Sequence, residues 1–168
     1  MQRAGTTKVM VVGSAGSSGV SGAVQSALVA KGYVVERVSG NTRSGTSVAV
    51  ARRLGELLRS RSSTSASVGS MQGYGETAIV ASSETFADAL VAEPASAYGA
   101  HPVLLTSPGS LDADISMYLA EAAVKHGVLM GGTAALGAPV ERSLDGLGLK
   151  VTKLAGATRF ETAVLCQS

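Results

Sequence analysis

The chain has 168 residues, 45% of them apolar and only 15% charged, with a formal net charge of +2. That is enough chain for one domain with a real core, and so small and scattered a charge excludes the basic face that nucleic-acid recognition needs. The lone Cys166 excludes an intramolecular disulfide and a cysteine-rich metal site, and no apolar run reaches the roughly eighteen residues that span a bilayer.

Lys8–Val12 is a β-branched run that stops at Gly13, and the small residues of 14–19 make a tight turn. The run at 9–12 is too short for a secretory h-region, so no signal peptide is expected in this chain. Val20, Val24, Ala27 and Leu28 then share one helical face, which Gly32 ends as a C-terminal cap. Residues 33–38 read as the next strand. From Ser44 the 3.6-residue period returns through Val50, Leu54, Leu57 and Leu58, with Arg52 and Glu56 as an i, i+4 ion pair. Arg52, Arg53, Arg59 and Arg61 form the only basic cluster. Residues 60–75 are rich in Ser and Gly and are expected to be a flexible, exposed loop.

Residues 77–81 are an apolar strand, and Ser82, Ser83, Glu84 and Thr85 supply capping groups for a helix through Phe86, Ala89, Leu90 and Val91. Pro94 should kink or shorten that helix. Residues 102–106 form another strand and 107–110 a turn. Ile115, Tyr118, Leu119, Ala122, Ala123 and His126 make the most regular helical stripe, with Asp112 and Asp114 where the macrodipole favours them. His126 is expected to cap that helix before Gly127. A short strand at 128–130, a turn at 131–133, a helix opened by Pro139 and carrying Val140, Leu144 and Leu147, and a strand at 150–154 complete the pattern. Strands alternating with helices, several of them unbroken apolar runs, predict an α/β fold. It is a doubly wound, mostly parallel sheet of about six strands with helices on both faces.

Catalytic chemistry finds little support. Gly13, Gly16 and Gly19 are spaced G-x-x-G-x-x-G with no Lys-Ser or Lys-Thr after them, which suits a tight βα turn better than a phosphate cradle. Glu84, Asp88 and Glu93 have no partner acid or base in view, and Thr85 with Asp88 reads as a capping box. His101, His126 and Cys166 lack metal-ligand spacing, and there is no Gly-x-Ser-x-Gly elbow. No catalytic residue, metal or cofactor is expected.

The strongest signal is a repeat. Val38-Ser39-Gly40-Asn41-Thr42-Arg43 returns as Leu154-Ala155-Gly156-Ala157-Thr158-Arg159, and Val24 and Leu28 return as Val140 and Leu144, all 116 positions on. Gly13 matches Gly132 if about three residues are inserted in the first copy. The chain therefore reads as the end of one repeat (8–36), one full repeat (37–154) and the start of another (155–168). Arg43 and Arg159 lie just past the carboxyl end of a strand, where open α/β sheets place their ligands. The planar fork of an Arg suits a carboxylate or phosphate, and it suits equally the backbone carbonyls that join one unit to the next.

The ordered set Arg37 to Arg43, Phe86-Ala87-Asp88-Ala89-Leu90, Pro102-Val103-Leu104-Leu105, Met130-Gly131-Gly132 and Ala155 to Ala163 resembles the cell wall binding repeat 2 family of Gram-positive surface proteins. The resemblance implies a non-catalytic module that holds a protein non-covalently to anionic cell wall glycopolymer, outside the cell. Such repeats commonly occur in threes about a pseudo-threefold axis, so a single full repeat is expected to self-associate as a homotrimer. The resemblance also implies a polymer contact at Pro102, Val103, Leu104 and Leu105, to which Arg43 and Arg159 add cationic groups. No nucleic acid and no membrane insertion is expected. A structural component of a surface layer or virion, keeping the fold for assembly alone, is the alternative reading.

Overall fold

The computed structural model describes residues 5–16, 19–61, 76–156 and 161. In chain order the elements are β1 (Lys8–Val12), α1 (Gly22–Ala30), β2 (Val34–Val38), α2 (Arg43–Arg61), β3 (Thr77–Ser82) and α3 (Phe86–Val91). They continue with α4 (Glu93–Gly99), β4 (Val103–Thr106), α5 (Ala113–Glu121), β5 (His126–Met130), α6 (Ala138–Gly146) and β6 (Lys150–Leu154). Among the described residues every pairing between these strands is parallel. The expected α/β fold with parallel strands and flanking helices is present, but the six strands divide. Four form a sheet in the order β4-β3-β5-β6, and β1 and β2 form a sheet of their own.

β3 sits at the centre of the larger sheet with all six of its residues buried. Successive side chains of a strand point to opposite faces. Ala78 and Val80 join Leu104 and Leu129 in the main core, beneath Val48 and Ala51 of α2, Ile115 and Leu119 of α5, and Val140 and Leu144 of α6. Ile79 and Ala81 turn the other way, to Met130 and Ala92, with Ala89 and Val91 of α3 packed beside them. Burial of each large aliphatic side chain in these layers contributes about 1.5–3 kcal/mol.

Several local expectations give way to tertiary partners. Pro94 does not kink one helix; the helix ends at Val91 and a second begins at Glu93, with Pro94 in its first turn, where the missing N–H is an orphan in any helix. α5 stops at Glu121, short of His126, because Ala123 turns left-handed at φ 51° and the chain leaves to pair with β3. Lys125 N–H donates to Glu76 O at 2.9 Å, and His126 opens β5 opposite Thr77 as an exposed residue and not a helix cap. The capping box expected of Thr85 does not form on the Thr85 side; the Ser82 hydroxyl accepts from Glu84 and Thr85 N–H instead, at 3.1 and 3.3 Å. Arg52 pairs with Glu121 at 2.7 Å, while Glu56 pairs with Arg53 at 3.0 Å. Gly13 finds its counterpart in Gly131. Both adopt positive φ (108° and 102°), and both donate at 2.9 Å to the last residue of the neighbouring strand, Val38 or Leu154. Most of the Ser- and Gly-rich stretch, 62–75, lies outside the described residues.

Candidate functional site

The recurring Gly-x-Thr-Arg unit is a self-contained start for α2. Thr42 is its cap, its hydroxyl accepting from Gly45 N–H at 2.9 Å. The Thr46 hydroxyl reaches back to the turn, accepting from Gly40 N–H at 3.0 Å and donating to Gly40 O at 3.4 Å. Gly40 packs so closely on the first turn of the helix that a Cβ there would collide with the backbone of Gly45. The spacing Gly40, Thr42, Thr46 therefore has a local reason, independent of any ligand.

Arg43 stands on top of this cap, exposed, at the carboxyl ends of the strands. Its Nη1 donates to Ser83 O at 3.0 Å, which ties the start of α2 to the end of β3 and uses one of the five guanidinium donors. The side chain borders two hollows. One, of about 720 Å³, has an apolar wall of Val12, Val50, Val103 and Leu105 and a polar mouth at Asn41 and Arg43. The other, of about 520 Å³, is lined by Ser83, Ser107, Asp112 and Asp114 across from Arg43. Thr106, fully buried, holds the turn that follows β4, donating to Ser110 O and accepting from Asp112 N–H at 2.9 and 3.0 Å.

The four residues of the Pro102 strand separate. Pro102 is buried, with its carbonyl accepting from Ile79 N–H at 2.9 Å, and Leu104 is fully buried in the main core. Val103 and Leu105, half-buried, reach the larger hollow and so share it with Arg43. Leu105 N–H, on the outer edge of β4, donates to the Ser47 hydroxyl of α2 at 3.0 Å, and that hydroxyl donates to Ser44 O at 2.7 Å. Ser47 thus closes a sheet edge, a role that a Ser inside an amphipathic helix does not announce. Asn41 and Val50 were likewise hidden as lining residues, since Asn41 is a variable place in the repeated unit, matched by Ala157, and Val50 reads only as part of an apolar helix stripe. Arg159 and Phe160 lie outside the described residues.

The titratable groups with displaced equilibria lie away from these hollows. Lys8 pairs with the Glu36 carboxylate at 2.6 Å and Arg53 Nη2 donates to it at 3.1 Å, and together they hold its pKa below the usual value. Burial lowers the pKa of His101 and raises that of the Tyr118 phenol. Among the described residues, no three His, Cys, Asp or Glu side chains gather as metal ligands would. No helix there is long and apolar enough to cross a membrane.

Parallel α/β architecture with polar side chains collected at the carboxyl ends of the strands defines a class of ligand-binding modules. Within that class the family is specific: the model of Cell wall binding domain 2 matches residues 37–141, and the chain belongs to this family. The N-acetylmuramoyl-L-alanine amidase LytC of Bacillus subtilis (strain 168) is 26% identical over 129 residues, which is 77% of this chain and 23% of that protein. Among solved structures, Cwp8 from Clostridium difficile matches with a TM-score of 0.73 and 28% identity, covering 95% of this chain and 23% of the other. Cwp6 from the same organism shares the fold, with a TM-score of 0.76 at 19% identity and the same coverage. The chain spans less than a quarter of each of these proteins. The cell wall binding assignment rests on the family model, the likeness to Cwp6 is one of fold, and the amidase match is partial.

Proposed function

We propose that this module attaches non-covalently to an anionic glycopolymer of the Gram-positive cell wall, outside the cell and without catalysis. The observation that carries the reading is the position of Arg43. It is an exposed cation, tethered by a single bond, at the junction of the two hollows, with Val103 and Leu105 as the apolar wall beside it. Arg52 and Arg53 of the basic cluster, by contrast, are engaged by Glu121, Glu36 and Glu56. Arg159 supplies the corresponding contact in its own copy of the motif. Each contact is weak, and self-association, as a trimer by analogy with three tandem repeats, raises the avidity.

The test is retention of the folded protein on purified cell walls at low and high salt. A charge-assisted hydrogen bond is worth about 1.5–3 kcal/mol, so Arg43→Ala with Arg159→Ala should weaken retention by about tenfold or more, and salt should weaken the parent protein similarly. Unchanged retention in a variant with an unaltered circular dichroism spectrum would overturn the assignment of these two residues. Light scattering over a range of concentrations tests the trimer; a mass that stays at one chain removes it.

A further inference from the structure

The smaller hollow beside Arg43 holds charges of both signs that do not meet. Arg43 enters it from the start of α2, and Asp112 and Asp114 from the start of α5, around a space of about 520 Å³. Among the described residues no ion pair joins Arg43 to either aspartate. Neutral groups hold each charge in place instead. The guanidinium donates to Ser83 O at 3.0 Å, and the Ser107 hydroxyl donates to Asp112 Oδ1 at 3.2 Å. The Asp114 carboxylate rests against the first turn of α2, where a Cβ on Gly45 would come within 3.2 Å of its Oδ2.

Helix capping does not account for this placement. Asp112 is the N-cap residue of α5, where an aspartate ordinarily accepts from the N–H two or three residues on, yet its side chain makes no such bond. Its carboxylate is turned from those amides to Ser107 and the hollow. The count of charges then narrows what the hollow suits. Two carboxylates share it with one guanidinium, so a purely anionic ligand gains the Arg43 fork and meets repulsion from both aspartates. A simple cation satisfies the carboxylates but leaves the fork without an acceptor. A ligand that carries both signs close together satisfies all three side chains.

We infer that this hollow takes a zwitterionic group, with an oxyanion of the wall polymer on Arg43 and an ammonium a few bonds away between Asp112 and Asp114, which rests on the anchoring role proposed for Arg43 and narrows the polymer to one bearing amines as well as anions. Arg43 reads the anion, and the two aspartates select against polymers that lack the amine.

The test is a titration of the whole chain with 2-aminoethyl phosphate, ethyl phosphate and ethanolamine, followed through the backbone amide shifts of Ser44, Gly45 and Ala113. The expected result is that 2-aminoethyl phosphate binds at least about fivefold more tightly than either of the others. Asp112→Asn with Asp114→Asn should remove that preference and at the same time tighten ethyl phosphate, because the repulsion is gone while Asn still suits an N-cap. Asp114→Asn alone, at an exposed position, is the second arm and should reduce the preference without touching the Ser107 bond. Equal binding of the two phosphates, or amides that respond to neither, overturns the inference, and so does a preference that appears only when calcium is added. Loss of wall retention in Arg43→Ala together with equal binding of the two phosphates would leave the anchoring role standing and remove only this narrowing of its ligand.

Discussion

β1–α1–β2 and β5–α6–β6 share pairing register, helix position and terminal hydrogen bonds, yet Leu144 is fully buried and the matching Leu28 is only half-buried. The difference teaches that the βαβ unit is a local product, whereas burial depends on what the unit meets. In the second half it meets β3 and α5; in the first it meets chiefly α2, through Arg53 to Glu36 and Thr46 to Gly40.

The comparison breaks most sharply at those two leucines. Leu144→Ala should cost about 2–5 kcal/mol by urea denaturation, and Leu28→Ala less than about half as much, since a partly exposed site leaves little cavity. Equal costs would mean that α1 is as well covered as α6. Gly40→Ala comes next, at about 1–3 kcal/mol, because the new methyl group must push the Gly45 backbone aside. Thr42→Ala should cost about 0.5–2 kcal/mol through loss of the cap on α2, with the helical circular dichroism signal reduced only near the melting transition.

The smallest effect separates the halves by pH. Glu36 has its folded pKa depressed by Lys8 and Arg53, so its contribution is present above the unfolded carboxylate value and is lost as pH falls through the folded one. The stability gap between the parent and Glu36→Gln should therefore close as pH falls below the ordinary glutamate value of about 4.3. Thr152 occupies the matching place in β6 and carries no charge. Amide exchange should accordingly speed up in β1 and β2 on acidification before it does in β5 and β6; a uniform acid response would remove the asymmetry.

Much of the candidate site was legible because its logic is local. Gly40, Thr42 and Thr46 act on one another within seven residues, so the motif that repeats in the sequence is the motif that caps the helix. Arg43 was legible as a residue at a strand end. That its guanidinium meets Ser83 O, forty positions away, was not. The Pro102–Leu105 run reads as one element but divides by the period of the strand, with Leu104 lost to the core and Val103 and Leu105 turned to the hollow.

Sequence alone determined the alternation of strands and helices, the parallel α/β class, the 116-residue repeat and the helix ends at Gly32 and Pro139, because side-chain periodicity and turn chemistry act over a few residues. Tertiary structure alone decided four things: the division of six strands into sheets of four and two, the restart of the helix at Pro94, the transfer of His126 from helix to strand, and the exposure of α1. Each depends on which distant backbone edge or apolar face is available to pair, and no local pattern carries that information.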